Sequence, residues 1–303
     1  SHAAVRTDAI AATSIVTTPL VAQTRWRPYR TGAKNPAMTA ERARIGIIGF
    51  GYIGSYVYEQ VTTRPELGMD VAFVYNRTAG RISAVPKEVI LEDLGDFASR
   101  QADLIVELAH PDISRKYGVE FLRTADYMPM SLTVFADAEL DAQLRGAAES
   151  SGTCIYIPHG AIVGLETLEE GRQMWEEVSI VMKKPTRSLD FANSPQFDPQ
   201  AIDSETVLFE GSTRDICPLF PRNVNSHAAV ALGGIGFDDT RSVLVADPSL
   251  ETSIIEVEAR GGGVEIKVRR ENPMVGVSGV FTLVACLASI GRACAPGSGL
   301  RIC

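Results

Sequence analysis

Three glycines are the residues best spaced to do chemistry. Gly49-Phe-Gly51-Tyr-Ile-Gly54 follows a short apolar run, Arg44-Ile-Gly-Ile-Ile-Gly49, and leads into residues whose apolar members Ile53, Val57 and Val61 recur at helical spacing. In a strand–turn–helix, the first glycine permits the tight turn, the second lets the main chain approach a pyrophosphate, and the third lets the helix lie close on the sheet. Free N–H groups and the helix dipole then stabilise the bound anion. Gly49, Gly51 and Gly54, with Tyr52 and Ile53 in the same turn, are therefore candidate cofactor-binding residues. A bare glycine pattern would also suit a turn that merely packs; the flanking strand and helix favour a dinucleotide.

The second strand, Val71-Ala-Phe-Val-Tyr75, ends in Asn76 and Arg77, with Arg81 a little further on. An NAD-specific site usually places Asp or Glu here to accept hydrogen bonds from the ribose 2′-hydroxyl. Asn76 is neutral and can still bond a ribose, while the Arg77 guanidinium can pair with a 2′-phosphate. The expected cofactor is NADP or NAD, with NADP accepted. The bland alternative is that Arg77 and Arg81 are solvated surface charges.

These residues need a scaffold, and the rest of the pattern supplies one. Strands are expected at Val71–Tyr75, Ala102–Glu107, Tyr127–Ser131 and Thr153–Ile157, with helices at Asp112–Thr124 and Ala136–Ser150 between them. That rhythm means a doubly wound parallel sheet of the Rossmann kind. After about residue 160 the pattern changes. A helix over 161–174 precedes strand-like runs at Glu177–Met182, Thr206–Glu210, Arg241–Val245, Ser253–Glu258 and Val264–Arg269, whose alternation suits an antiparallel sheet with one wet face. Residues 185–204 read as a loop, and 222–235 and 276–292 as helices, the last apolar enough to be buried on more than one side. The expected fold class is α/β. A Rossmann domain over 41–160 is followed by an α+β domain with a mixed or antiparallel sheet over 161–275. The final helix and tail, 276–303, return to the Rossmann domain.

Bulk properties exclude several classes. The chain has 303 residues and a formal charge of −8, which argues against nucleic acid or an anionic membrane surface as partner. No apolar run reaches the roughly 20 residues needed to span a bilayer. The cysteines, Cys154, Cys217, Cys286, Cys294 and Cys303, are odd in number and widely spread, which argues against a disulfide framework or a metal site and for a reducing compartment. The first forty residues stand apart: Arg6, Arg25, Arg27, Arg30 and Lys34 face one acid, Asp8. They form a poorly structured extension that suits a mitochondrial transit peptide, or a cloning remnant and upstream sequence before a start at Met38. The expected location is cytoplasmic, or mitochondrial if this segment is a transit peptide.

Beyond the glycine turn, several stretches resemble the L-aspartate dehydrogenase family, in particular its animal branch, the aspartate dehydrogenase domain-containing proteins. They are Phe73-Val-Tyr-Asn-Arg77, Glu107-Leu-Ala-His-Pro111, Gly160-Ala-Ile-Val-Gly164, Leu208-Phe-Glu-Gly211, Cys217-Pro-Leu-Phe-Pro-Arg-Asn-Val-Asn225, Val243-Leu-Val-Ala-Asp247 and Arg269-Arg-Glu-Asn-Pro273. The likeness runs in order from about residue 44 to the C-terminus. It implies oxidation of L-aspartate by NAD(P)⁺ to iminoaspartate, which hydrolyses to oxaloacetate and ammonia, and a homo-oligomer, commonly a dimer. It implies that Ala109 and His110 lie near the nicotinamide ribose, and that Asn223 or Asn225 contacts the cofactor from a helix N-terminus. His110 could equally be a solvated loop residue, and the asparagines mere helix caps. Gly160 and Gly164 would shape the wall beside the substrate, and the preceding His159 could bind a substrate carboxylate. Two carboxylates need cationic partners, for which Arg222, Arg269 and Arg270 are candidates.

One departure matters. The family's catalytic His falls, by alignment, at Ser253, and the only histidines are His2, His110, His159 and His227. A serine is no base near neutral pH without an activating partner. Three readings stay open: His159 or His227 moves the proton; the enzyme is slow or takes another substrate; or the chain binds NAD(P)H without catalysis.

Overall fold

The structure, a computed structural model, describes residues 42–275 and 278–295. The basic N-terminal segment and Cys303 lie outside the described residues. The first half builds β1 (Ala43–Ile48), α1 (Tyr52–Thr63), β2 (Met69–Tyr75), β3 (Leu104–Glu107), α2 (Pro111–Leu122), β4 (Asp126–Pro129) and α3 (Ala138–Ser151). Its four strands are all parallel, in the order β2-β1-β3-β4. Alternate residues feed opposite faces. Ile45 and Ile47 pack with Val57 and Val61 of α1, whereas Ile48 and Ile105 join Phe121 and Leu144 of α2 and α3.

The expected strand at Thr153–Ile157 does not form. Only Ile155 bridges to Tyr127, through Tyr127 N–H to Cys154 O (2.9 Å) and Tyr156 N–H to Tyr127 O (2.8 Å). The next rung of that ladder would need an N–H at position 129, which is proline.

The second half holds α4 (Leu165–Glu170), β5 (Glu177–Lys184), β6 (Thr206–Ser212), α5 (Thr213–Leu219), α6 (Asn225–Gly233), β7 (Arg241–Ala246), β8 (Thr252–Gly261), β9 (Val264–Val275), β10 (Ser278–Gly279) and α7 (Val280–Cys294). The helix expected over 161–174 is cut to six residues. Gly160 and Gly164 take left-handed φ values of 54° and 82° ahead of it, and at Gly171 the Trp175 ring leaves no room for a Cβ. The sheet order is β10-β9-β8-β5-β7-β6. It is mixed, because β5 and β7 run parallel while the other pairs are antiparallel. The strand alternation is realised in full. Val178, Ile180 and Met182 of β5 and Ile255, Val257 and Ala259 of β8 face inward under α6, and the outer face carries a charged lattice such as Arg260 with Glu265 and Lys267 with Glu258.

The last helix returns to the first sheet. Cys286, Leu287 and Ile290 of α7 are buried against the α1 face of the parallel sheet, in one core with Val57 and Val61. It is not buried on several sides as expected: Phe281 is 42% and Val284 46% exposed. Ile290→Ala should therefore cost about 2–4 kcal/mol in urea-induced unfolding, while Phe281→Ser should stay within about 0.5 kcal/mol of the parent.

Candidate functional site

A cleft of about 980 Å³ lies between the carboxyl ends of the parallel strands and the inner face of the mixed sheet. One wall is the glycine turn, and Gly49 and Gly54 are demanded by geometry. Gly49 has φ +99°, and a Cβ there would meet Leu108 O at 2.7 Å. At Gly54 a Cβ would meet Gly49 O at 2.0 Å, so the helix could not approach the turn. At Gly51 a Cβ would meet nothing within 4 Å; the space it faces is open. Gly51 is also the N-cap of α1, whose first turn carries no acid and no side-chain cap. That combination of vacant space, uncapped N–H groups and no negative charge fits a diphosphate. Tyr52 and Ile53 line the same wall.

Asn76 does not reach outward. Its Oδ1 accepts from Phe50 N–H (3.0 Å) and its Nδ2 donates to Thr78 O (2.9 Å), so it braces the glycine turn. Arg77 and Arg81 line the rim, exposed, and neither side chain makes an ion pair or a hydrogen bond among the described residues.

At the end of β3, Ala109 and His110 reach the cleft. His110 caps α2, its Nδ1 accepting from Asp112 N–H (3.3 Å). Beneath them sits a residue not singled out from sequence, Glu107, fully buried. Its carboxylate accepts from Ala109 N–H (2.6 Å), Ser131 N–H (3.1 Å) and the Ser131 hydroxyl (3.1 Å). Burial lifts its pKa to about 7 against the pull of those donors. It welds the loops after β3 and β4 together below the cleft floor. A buried glutamate at a strand's carboxyl end is the sequence signal that could have found it.

Asn223 is buried and spent on a neighbouring loop. It accepts from Asp190 N–H (2.9 Å) and donates to Ser188 O (3.2 Å). Asn225 accepts from Thr133 N–H (3.3 Å), and its amide nitrogen, in a residue that lines the cleft, has no partner among the described residues. Neither caps α6, where no side-chain cap bond is made. His159 stands at the cleft edge with both ring nitrogens engaged, Nδ1 by Arg292 (3.0 Å) and Nε2 by Glu166 (3.2 Å). Burial, opposed by Glu166 and aided by Arg292, lowers its pKa.

The opposite wall is the inner face of the mixed sheet. Register aligns Met182 with Ile255 and Ile255 with Arg270, and Ser253 with Asn272. Lys184, one residue beyond the Lys183–Ile254 pair, falls in the Ser253 row. Lys184, Ser253 and Arg270 all line the cleft. Lys184 is only 5% exposed, and burial, with Arg270 beside it, lowers its pKa to about 8. The Nε and Nη1 of Arg270 are out of water with no hydrogen-bond partner among the described residues. The Ser253 hydroxyl is likewise buried, with no hydrogen-bond partner among the described residues. Of the other proposed cations, Arg222 is paired with Asp190 (2.7 Å), and Arg269 sits on the outer face with Glu256 and Glu271. Lys184 was missed, although the parity of β5 makes position 184 an inward one.

His227 lies wholly buried on α6, outside the cleft lining, with neither ring nitrogen bonded among the described residues. Desolvation, and then the charge of Lys184, lower its pKa to about 3. It is no proton acceptor at neutral pH.

Comparison with known proteins gives the lineage. The chain is 36% identical over 279 residues to the aspartate dehydrogenase domain-containing protein of Xenopus tropicalis, covering 86% of this chain and 98% of that one. It belongs to the aspartate dehydrogenase family. The family profile described as aspartate dehydrogenase, C-terminal, matches residues 167–293, and that described as homoserine dehydrogenase, NAD binding domain, matches residues 49–158. The L-aspartate dehydrogenase of Cupriavidus taiwanensis is 32% identical over 263 residues, covering 82% of this chain and 98% of its own. The crystal structure of aspartate dehydrogenase from Thermotoga maritima shares the fold, with a TM-score of 0.64, 24% identity, and coverage of 83% and 94%.

Two outcomes follow from the buried groups of this aspartate dehydrogenase relative. Below its ordinary pKa of 6.5, His227 takes up a proton when unfolded but not when folded, so stability falls as pH drops from 6.5 towards 3. Between pH 7 and 5 the parent should lose about 2 kcal/mol more than His227→Leu in urea titrations. Glu107→Gln, which sets an amide NH₂ against converging donors, should lower stability by about 1–3 kcal/mol and weaken NADPH binding measured by fluorescence.

Proposed function

We propose that the protein oxidises L-aspartate with NAD(P)⁺. The observation that carries this reading is the pairing of two unlike walls in one cleft: an uncapped glycine turn suited to a diphosphate, and a dry sheet face bearing Lys184 and Arg270. Nε and Nη1 of Arg270, buried donors with no acceptor among the described residues, are costly. A carboxylate is the group that Arg270 would bind through two parallel N–H bonds. An amino acid with two carboxylates brings one for Arg270 and one for the remaining polar lining, with Asn225 among its donors. Bound NAD(P)⁺ supplies the hydride acceptor, and the protein supplies orientation and field. Arg77 and Arg81, unpaired at the rim, support acceptance of a 2′-phosphate and hence of NADP. The proposal includes a homodimer, which rests on the family resemblance alone.

Ser253, unpartnered among the described residues, favours a second reading, cofactor binding without turnover. An assay separates the two. Purified protein with L-aspartate and NADP⁺ at alkaline pH should generate NADPH; no NADPH from any member of an amino-acid panel, with cofactor still bound, overturns the first reading. Arg77→Glu should weaken NADPH binding by about tenfold or more while leaving NADH nearly unchanged.

A further inference from the structure

One corner of the mixed sheet collects buried donors that have no acceptor. Ser253 and Ile255 of β8 stand opposite Asn272 and Arg270 of β9, so all four side chains share the inner face. Ser253 is 1% and Asn272 3% exposed. Ser253 Oγ, Asn272 Nδ2, and Nε and Nη1 of Arg270 are buried with no hydrogen-bond partner among the described residues. Ser253 and Arg270 line the cleft.

The N-terminus of α7 is held at the same corner. β10 pairs with β9 through Ser278 with Val275 and Gly279 with Met274, and Gly279 is the N-cap of α7. Asn272 Oδ1 accepts from Phe281 N–H (3.2 Å), which ties the first turn of the helix to β9. A Cβ at Gly279 would overlap the Asn272 amide, so this close approach requires glycine. The helix has no side-chain cap and no acid in its first turn. Ser278, Gly279 and Thr282 line the cleft together with Ser253 and Arg270. The carboxylates that line the cleft among the described residues, Asp112 and Asp190, come from other elements and are paired with His110 and Arg222.

We propose that Ser253, Arg270 and the N-terminus of α7 form the subsite for one carboxylate of the substrate, with Ser253 as its hydroxyl donor. The choice of a dicarboxylate rests on the aspartate dehydrogenase reading above. A carboxylate offers about four lone-pair sites and has no proton to give. The Arg270 fork takes two of them, the serine hydroxyl a third, and the positive end of the α7 dipole favours the charge. An apolar ligand would leave all these donors without acceptors, and a cation would face Arg270. The position where the family resemblance places a histidine is therefore specificity-determining in this chain. Its short hydroxyl leaves room for an anion and gives it a hydrogen bond.

Donors of this kind have a signature in stability. Removing one partner of a structural hydrogen bond destabilises a fold, whereas removing a buried donor that has no partner does not. The test uses the full chain loaded with NADPH. The probe is succinate, a dicarboxylate with no amine to oxidise, titrated calorimetrically. Ser253→Ala should weaken succinate binding about tenfold and Arg270→Met about 100-fold, with NADPH affinity unchanged. Without succinate, the urea midpoint of each variant should equal or exceed the parent's. Three results overturn the proposal: no succinate binding by the parent, parental affinity in both variants, or urea midpoints that fall in both. NADPH formation from L-aspartate by the parent tests the functional reading separately. Succinate binding with the expected variant losses but without turnover supports the subsite and removes that reading. Turnover in a parent that ignores succinate does the reverse.

Discussion

The cleft depends on keeping positive charge out of water on one face of a sheet. Moving an isolated cation from water into a protein interior costs several kcal/mol even after relaxation. Here two cations, Lys184 on β5 and Arg270 on β9, flank β8 on that face, and Nε and Nη1 of Arg270 have no acceptor among the described residues. A fold tolerates that cost where a ligand repays it, and strain of this sort collects at functional sites. The remaining architecture can be understood as support for this face. The alternation of β5, β8 and β9 turns these side chains inward, α6 seals the sheet behind them, and the outer face keeps its own charges in water, paired along the strands.

The facing wall obeys the opposite rule. It presents neutral main chain rather than charge, and its glycines are required by contacts of 2.0–2.7 Å that any side chain would create at Gly54 and Gly49. The two walls are coupled through buried polar links rather than through apolar packing alone. Glu107 ties the β3 and β4 loops to each other, and Asn225 ties the β4 loop to α6, which covers the cationic sheet. A cofactor on one wall and a substrate on the other are therefore held in a fixed relation by main-chain amides, which suits a reaction whose rate depends on orientation.

Much of this was legible in the sequence because period and punctuation are local signals. The glycine turn, the parallel strands and the later antiparallel alternation could be read directly, as could the resemblance carried by Pro221-Arg-Asn-Val-Asn225. What was not legible was decided by partners distant in the chain. Pro129 cuts short the pairing of Thr153–Ile157, although nothing within that segment announces it. Asn76 and Asn223 carry the residue type of ligand contacts, yet their amides are consumed by Phe50, Asp190 and Ser188. Arg222, Arg269 and Arg270 are alike on paper, and only strand parity and the Asp190 partner separate the cleft cation from the solvated ones. Lys184 was open to the same parity argument as Val178, Ile180 and Met182, but a lysine at the end of an apolar strand is easily read as the point where the strand meets water.

The return of α7 has a consequence for how the chain can be made. The apolar stripe of α1, with Val57 and Val61, is covered by residues that appear only at 286–290. During synthesis, the nucleotide-binding half emerges long before its own lid of side chains exists, so that half cannot reach its final core until the whole second half has been threaded and folded between them. The molecule is thus two lobes in space but one unit in time: neither lobe can be excised as a continuous piece without exposing a hydrophobic seam on the other.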